Sequence, residues 1–255
     1  MVKSEAYKKF IKPTKKVEHP IQFIKDSGNL LELFAGSRSI GKMGDMLGFK
    51  TFSVDWEGYD GIDLQIDISE LNMYYVPFVP DVVWASPDCT TYTIAAISKH
   101  RNGTNPKSEY ARQCDAVNKH FISLIGEWLS INPKMVFFIE NPRGMLRHMP
   151  FMKDFKRHTV WYCTYGDNRA KPTDIWTNSV DWQPRAQCHN YKYDGDGNII
   201  DKHCHHESAR RGSRTGTQGR KGSYDRSKIP EQLCLEILSA SRVSSINISN
   251  VTDNK

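Results

Sequence analysis

The sequence contains no apolar run that approaches the ~20 residues of a membrane-spanning helix, so we expect no membrane partner. Its first residues lack the apolar core of a secretory signal peptide, and we therefore expect a cytoplasmic protein whose six cysteines are reduced. No internal repeat is present. A chain of 255 residues with 38% hydrophobic residues is long enough for one α/β domain and an elaboration.

Positive charge is concentrated in one stretch of the sequence. The formal net charge is +6, and residues 208–228 hold seven basic side chains with Asp225 as the single acid. The same stretch has four glycines and few apolar residues. A basic, glycine-rich segment can follow a phosphate backbone closely, but a solvated flexible linker has a similar composition. Both interpretations stay open on composition alone.

Short apolar runs alternate with helical patterns, which predicts a doubly wound, mostly parallel α/β sheet. Strands are predicted at residues 30–34, 50–54, 62–65, 81–85, 135–139, 159–163 and 174–177. Helices are predicted up to about residue 47, over 108–130 and over 231–242. Residues 182–228 show little periodicity, which indicates a small irregular insert near the C-terminus.

The predicted strand at 81–85 runs into a turn that bears a cysteine. Ser86 and Pro87 end the strand, and Cys89 follows just past its carboxyl end. Open α/β sheets bind their ligands at this edge, and a thiol there is a candidate nucleophile. The pattern alone also fits a buried structural cysteine.

The first two predicted strands carry a nucleoside-binding pattern. Gly36 follows the first strand, and Asp55 ends the second strand 19 residues later. The glycine lets the backbone approach a ligand, and the acid can accept hydrogen bonds from a ribose. Arg38 and Ser39 stand near the places of the missing glycines, which argues against a full dinucleotide fingerprint. The pattern alone fits a dinucleotide, S-adenosylmethionine or no ligand.

Five motifs in this order resemble the DNA cytosine-5 methyltransferases, most closely the compact versions found in bacteriophage genomes. They are Leu-Glu-Leu-Phe-Ala-Gly (31–36), Val-Asp (54–55), Ser-Pro-x-Cys (86–89), Glu-Asn-Pro (140–142) and Ile-Pro-x-x-Leu (229–233). The resemblance covers about residues 29–178 and 228–240. It implies the fold of S-adenosylmethionine-dependent methyltransferases, S-adenosylmethionine as cofactor, and double-stranded DNA with a flipped-out cytosine as substrate. It also implies a bacterial or phage-infected host cell.

The resemblance assigns roles to individual residues. The residue matching Cys89 attacks carbon 6 of cytosine, and the residue matching Glu140 contacts ring nitrogen 3 and the exocyclic amine. Arg169 resembles, loosely, a basic residue near the target base. The residues implied at the cofactor are Phe34, Ala35, Gly36, Ser37, Asp55, Trp56, Asp67, Ile68 and Pro87. The residue types suit the chemistry, because a thiolate added at carbon 6 makes carbon 5 nucleophilic and an acid at nitrogen 3 relieves the added charge.

The resemblance also divides the chain into parts. We expect an N-terminal extension at 1–28, a catalytic domain at 29–181 plus 228–243, a small basic target-recognition insert at 182–227, and a disordered tail at 244–255. The insert stands in place of the large target-recognition domain that is usual in restriction-associated enzymes.

Three positions depart from the family pattern. Asp88 precedes Cys89 where a proline is usual, and an adjacent anion disfavours the thiolate. We therefore predict that the Asp88 carboxylate is paired or directed away from the sulfur. Pro142 stands where valine is common, as in the phage versions, and the alternating Gln-x-Arg-x-Arg pattern is absent around Arg169.

Cysteine and histidine form two groups in the insert. Cys188 and His189 precede the run His203-Cys204-His205-His206 by about 14 residues, which is a finger-like spacing. A segment of this size with few apolar residues can be ordered by a bound metal ion. We expect Cys188, His203, Cys204 and His206 to hold a structural zinc ion. Surface histidines or a phosphate-contacting patch are the alternatives.

Two other functions fit the sequence less well. An amino-methyltransferase acting on adenine or cytosine has a similar Ser-Pro turn, but it needs an aromatic residue where Cys89 stands, and Tyr92 follows three residues later. A non-catalytic nucleic-acid-binding protein with a methyltransferase fold would account for Asp88. RNA as the substrate also stays open. The sequence indicates neither the recognition site nor the oligomeric state.

Overall fold

The structure, a computed structural model, describes residues 28–188, 192–196, 199–201, 206 and 222–246. Of the predicted N-terminal extension, only Gly28 is among them. The predicted disordered tail lies outside the described residues from position 247 onward.

Eleven strands are present among the described residues. They are β1 (Asn29–Leu33), β2 (Lys50–Asp55), β3 (Leu64–Gln65), β4 (Val82–Ala85), β5 (Arg101–Asn102), β6 (Asn105–Pro106), β7 (Val136–Pro142), β8 (Arg157–Trp161), β9 (Pro172–Thr177), β10 (Lys192–Tyr193) and β11 (Ile199–Asp201). Seven of them form one sheet in the order β3-β2-β1-β4-β7-β9-β8. The pairs from β3 to β7 are parallel, and β9 runs antiparallel to both of its neighbours. This confirms the predicted α/β fold with a doubly wound, mostly parallel sheet.

Five helices are present among the residues that the structure describes. They are α1 (Ser39–Met46), α2 (Ile97–His100), α3 (Glu109–Ile131), α4 (Ser223–Ser227) and α5 (Glu231–Ile246), with single 3-10 turns at Ile68–Glu70, Met73–Tyr75, Met145–His148, Pro150–Met152 and Tyr162–Tyr165. Ser108 caps α3, since its side-chain oxygen accepts a hydrogen bond from the Ala111 N–H at 3.1 Å. α5 continues to Ile246, past the predicted boundary at residue 243.

The central strands are apolar on both sides because the sheet is covered on both faces. Val83 and Ala85 of β4 belong to one buried cluster with α3 residues such as Trp128. Val82 and Trp84, which point to the opposite face, belong to a second buried cluster with residues of α1 and α5. Each fully buried large apolar side chain contributes roughly 1.5–3 kcal/mol to this packing.

The strand order reverses between β1 and β4. The chain passes from β1 outward to β2 and β3, and then returns to place β4 on the other side of β1. In open α/β sheets, ligands bind outside the carboxyl ends of the strands at such a point. The Ser86 N–H donates to the Leu33 carbonyl at 3.3 Å, so the turns that leave β1 and β4 lie side by side.

Among the described residues, none of the helices combines the length and the apolar character that crossing a membrane requires.

Candidate active site

The turn after β1 has an unusual backbone. Phe34 and Arg38 have positive φ angles of 57° and 55°, and Gly36 between them has a φ of 49°. Residues other than glycine rarely adopt this region, and such strain concentrates at ligand sites. The Gly36 N–H donates to Asp55 Oδ2 at 2.8 Å. This bond fastens the turn to the carboxyl end of β2.

Asp55 and Trp56 present an acceptor and an aromatic ring at the same edge of the sheet. Asp55 is buried, its Oδ1 accepts the Glu57 N–H at 2.9 Å, and burial raises the pKa of its carboxyl group. A carboxylate has about four acceptor positions, so Asp55 retains capacity for a ligand. Trp56 is 53% exposed. The pair fits an adenosine group, with the carboxylate for ribose hydroxyls and the indole for adenine.

Four further residues of the predicted cofactor set follow the strands β1 and β3. Ala35 and Ser37 are buried in the turn after β1. Asp67 follows β3, and its Oδ1 accepts the Ser69 N–H at 2.8 Å. Ile68 is buried in the cluster that contains α3. Asp67 therefore caps a 3-10 turn, and its second oxygen is the one available to a ligand.

Cys89 lies in the turn that follows β4. Asn141 of β7 donates its side-chain N–H to the Pro87 carbonyl at 2.9 Å, which ties this turn to the neighbouring strand. The Cys89 carbonyl accepts the N–H groups of Tyr92 and Thr93, each at 3.0 Å. The backbone on both sides of the thiol is therefore fixed.

The Asp88 carboxylate is paired, as predicted. Its Oδ2 accepts a hydrogen bond from the Tyr110 hydroxyl of α3, and its Oδ1 accepts the Thr90 N–H at 2.7 Å. The neighbouring anion is thus held by α3 and by the turn itself. Both oxygens of the Asp88 carboxylate therefore have a hydrogen-bond partner within the protein.

Glu140, buried near the end of β7, has two partners at Oε1. The Tyr162 hydroxyl donates to Oε1 at 3.0 Å, and Lys171 Nζ lies 3.8 Å from the same oxygen. Lys171 Nζ also lies 4.5 Å from the centre of the Tyr162 ring. Burial lowers the pKa of Lys171, and the charge of Glu140 opposes that change. An acid, a phenol and an amine therefore meet at the carboxyl end of β7.

The Cys89 thiol interacts with the same charges. Burial raises the pKa of Cys89 to about 11, and the Asp88 charge adds to the rise. Lys171 opposes it, whereas Glu140 adds to it. The charges of Lys171 and Glu140 therefore act on the Cys89 thiol in opposite directions, and Lys171 favours the thiolate.

Arg169, predicted to lie near the target base, is buried and paired within the protein. Its buried guanidinium pairs with Asp167, with Nη2 2.5 Å from Oδ2 and Nε 2.9 Å from Oδ1. It also donates to the backbone carbonyls of Arg226 and Lys228 at 3.2 Å and 3.0 Å. Arg169 thus joins the turn after β8 to the segment between α4 and α5. The cation in contact with the predicted catalytic acid is Lys171.

A buried ion pair between Arg101 and Asp115 contacts the segment that follows Cys89. Arg101 Nη2 lies 2.7 Å from Asp115 Oδ1, and the Tyr92 hydroxyl donates to that oxygen at 2.6 Å. Arg101 Nε donates to the Thr91 carbonyl at 2.9 Å. Thr91 and Tyr92 belong to the segment that follows Cys89, so the pair fixes its path. Sequence reasoning missed it because the short β5–β6 hairpin has no apolar pattern.

The predicted metal ligands are described in part. Cys188 Sγ lies 3.7 Å from His206 Nδ1, whereas His203 and Cys204 fall outside the described residues. Cys163, from the 3-10 turn after β8, joins the first two, and the three ligand atoms all lie within 4.8 Å of one another. No local motif in the sequence pointed to Cys163, since it is distant from the insert along the chain.

Most of the basic stretch, residues 207–221, also lies outside the described residues. Within the part that is described, Lys228 pairs with Asp225 at 2.8 Å on the surface. Phosphate contact by the stretch therefore stays a prediction.

The sequence and the fold were compared with those of known proteins. No family model matches the chain, and no curated protein matches it. Similar solved structures include a Thermoplasma acidophilum protein with 11% identity and a TM-score of 0.35, covering 59% of this chain and 78% of the other. They also include the glycopeptide N-methyltransferase MtfA, with 15% identity and a TM-score of 0.33, covering 59% of this chain and 82% of the other. TM-scores this low transfer no function from one chain to another.

Proposed function

We propose that this protein is an S-adenosylmethionine-dependent DNA cytosine-5 methyltransferase that acts through a covalent cysteine adduct. The observation that carries the proposal is the placement of the Cys89 turn beside the end of β7, where Asn141 is hydrogen-bonded to that turn and Glu140 contacts Lys171. The turn after β1, with Asp55 behind it, lies next to this group at the same edge. A nucleophile, an acid and a nucleoside-binding turn are the parts that this reaction needs.

In the proposal, S-adenosylmethionine supplies an electrophilic methyl group on a sulfonium sulfur. Asp55 binds its ribose hydroxyls, and the exposed Trp56 ring packs against its adenine. Gly36 and the left-handed backbone around it allow the main chain to approach the methionine part.

Cys89 is the nucleophile of the proposal. Its thiolate forms a bond to carbon 6 of a flipped-out cytosine, and the ring electrons move toward nitrogen 3. Carbon 5 then attacks the methyl group, and loss of the carbon 5 proton to a base expels the thiolate again. Because burial raises the pKa of Cys89 to about 11, the thiolate has to be favoured by its surroundings. Lys171 contributes to that as a positioning residue.

Glu140 is the acid of the proposal. Tyr162 and Lys171 engage its Oε1, and we assign Oε2 to nitrogen 3 and the exocyclic amine of the base. Protonation of nitrogen 3 removes the negative charge that thiolate addition places on the ring. The two partners fix the carboxyl group in position, so no reorientation is required during the reaction.

The structural observations disfavour the amino-methyltransferase alternative. The aromatic residue after its Ser-Pro turn has to stack on the flipped base, and the candidate here is Tyr92. Tyr92 is fully buried, and its hydroxyl donates to Asp115. Asp88 was the reason to consider a non-catalytic protein, because an anion beside Cys89 disfavours the thiolate. The hydrogen bond from Tyr110 to Asp88 weakens that reason.

DNA is the proposed partner, with the basic insert as its target-recognition segment. The net charge of +6 supports a polyanionic partner. The charge does not distinguish DNA from RNA, so both are included in the test.

The test is incubation of the purified protein with labelled S-adenosylmethionine and unmethylated DNA or RNA, followed by mass spectrometry of the nucleosides. The proposal predicts 5-methylcytosine in DNA with wild-type protein and none with Cys89→Ser. N4-methylcytosine or N6-methyladenine, with full activity in Cys89→Ser, would establish the alternative. Absence of any methylated base while the cofactor demonstrably binds would contradict both.

A further inference from the structure

Three metal-ligating side chains from distant parts of the chain meet beside the catalytic sheet. Cys163 belongs to the 3-10 turn after β8, whereas Cys188 and His206 flank the β10–β11 hairpin in the insert. The hairpin is antiparallel, with Lys192 opposite Asp201. Antiparallel pairing places the two ends of a hairpin next to each other, which explains why Cys188 and His206 are neighbours.

The distances suit a single tetrahedral ion. A thiolate sulfur at about 2.3 Å and an imidazole nitrogen at about 2.0 Å from zinc lie roughly 3.6 Å apart. Cys188 Sγ and His206 Nδ1 are 3.7 Å apart, and all three ligand atoms lie within 4.8 Å of one another. Cys163 is buried and the other two are half-buried, so the group is largely shielded from solvent. Two sulfurs and one nitrogen form a donor set that zinc favours.

We propose that Cys163, Cys188 and His206 supply three of the four ligands of a structural zinc ion that clamps the insert onto the catalytic domain. This differs from a zinc ion held by the insert alone, because one ligand comes from the turn that precedes β9. The insert is poor in apolar residues, and a metal supplies the folding free energy that a small core cannot.

The clamp also lies next to the candidate active site. Cys163 directly follows Tyr162, whose hydroxyl donates to Glu140. A metal that joins Cys163 to the insert therefore fixes the insert close to the catalytic acid. This consequence for DNA recognition rests on the proposed function, whereas the metal site itself does not.

The experiment measures zinc bound to the reduced, full-length protein after addition of zinc and removal of the excess. We expect one zinc per chain in the wild type and loss of at least nine-tenths of it in Cys163→Ser, Cys188→Ser and His206→Ala. Cys114→Ser and Cys234→Ser are the matched controls, since both cysteines are buried elsewhere, and each should retain one zinc. Intact mass under non-reducing conditions separates zinc binding from a disulfide, which lowers the mass by two hydrogens.

Two outcomes overturn the proposal. Full zinc content in Cys163→Ser, with loss in Cys188→Ser, places the ion within the insert alone, and absence of zinc from the reduced wild type removes the site. If Cys163→Ser does not fold, the wild type is loaded with isotopically labelled cadmium, and its NMR couplings to cysteine β-protons identify the ligands. Coupling to Cys163 and Cys188 supports the clamp, whereas a spectrum without Cys163 contradicts it. Methylation activity is not used as a readout, so failure of the proposed function leaves this result interpretable.

Discussion

Lys171 Nζ lies 3.8 Å from Glu140 Oε1, with the Glu140 side chain buried and the Lys171 side chain 13% exposed. The contact arises because Lys171 immediately precedes β9, which pairs antiparallel with β7 so that Thr173 lies opposite Pro142. The Glu140 charge raises the pKa of Lys171 and so opposes the effect of burial on that lysine. The charge of Lys171 in turn lowers the pKa of the Cys89 thiol. The reactivity of the thiol should therefore depend on Lys171.

Charge changes on either side of Cys89 should alter its alkylation in opposite directions. Lys171→Met removes the cation that favours the thiolate, and Asp88→Asn removes the anion that disfavours it. If each substitution changes the pKa of Cys89 by about one unit, the alkylation rate below pH 11 changes about tenfold. Alkylation should be slower in Lys171→Met and faster in Asp88→Asn. Iodoacetamide labelling followed by mass spectrometry of the Cys89 peptide measures both rates.

Lys171→Arg is the matched control for that measurement, because it retains the positive charge and should alkylate within about threefold of the wild type. Circular dichroism identifies variants that have lost their fold. Changes in the same direction for Lys171→Met and Asp88→Asn would contradict the assigned electrostatics.

The buried pair of Arg101 and Asp115 should contribute strongly to stability. Arg101→Met leaves the Asp115 carboxylate buried without its cation, and loss of one partner of a buried pair costs about 3–5 kcal/mol of unfolding free energy. Arg112→Met is the control, since Arg112 pairs with Glu109 on the surface of α3 at 2.8 Å, and such pairs contribute about 1 kcal/mol or less. Urea denaturation measures both. Equal losses in the two variants would refute the special role of the buried pair.

Cofactor binding should depend on Trp56. The side chain is 53% exposed, so Trp56→Ala should leave the fold intact. Aromatic stacking on a base is worth about 1–3 kcal/mol, which corresponds to an affinity loss of about 5- to 150-fold. Calorimetric titration with S-adenosylhomocysteine measures the loss. Met46→Ala is the control, because Met46 is 80% exposed at the far end of α1. An unchanged Kd in Trp56→Ala would contradict the assigned adenine position.

Glu32 should make the stability of the fold dependent on pH. It lies in β1, where its Oε1 accepts the Ile40 N–H at 3.1 Å and its Oε2 accepts the Ser53 hydroxyl at 3.0 Å. Burial raises the pKa of Glu32 from 4.5 to about 7. The folded state therefore retains a proton that the unfolded state releases. The stabilisation of the folded state by this proton is full below about pH 4.5. It declines as the pH rises toward 7 and is absent above pH 7.

Glu32→Gln removes this titration while keeping a side chain of the same shape. The stability of the wild type relative to Glu32→Gln should fall by up to about 1.4 kcal/mol per pH unit between about pH 4.5 and 7. Urea denaturation across that range measures the difference. Glu127→Gln, exposed on α3, should give a difference that does not vary with pH, and a flat profile for Glu32→Gln would disprove the assignment.

Sequence reasoning located the strand ends of the site well. β1, β4 and β7 are buried on both faces, and their mostly apolar runs are visible in the sequence. Parallel neighbours end at one edge of the sheet, so the strand order brings Cys89 and Glu140 together. The family resemblance identified Cys89 and Glu140 as candidate site residues. The strand order explains why they lie at neighbouring strand ends.

Contacts that depend on strand register were not predictable in the same way. Lys171 reaches Glu140 only because β9 turns back antiparallel beside β7, and no periodicity specifies that pairing. Arg169, two residues earlier, is instead buried against Asp167. Cys163 was predicted as a strand residue, but the strand ends at Trp161 and Cys163 falls in the following 3-10 turn.

The central claim is that Cys89 forms a covalent bond to carbon 6 of cytosine. DNA in which cytosine is replaced by 5-fluorocytosine tests it, because the fluorine at carbon 5 cannot leave as a proton and the thiolate is then not expelled. With S-adenosylmethionine present, the account predicts a denaturation-resistant protein–DNA complex whose cross-linked peptide contains Cys89, and none with Cys89→Ser. Methylated products from ordinary DNA without any trapped complex, or a complex linked through another cysteine, would contradict the account.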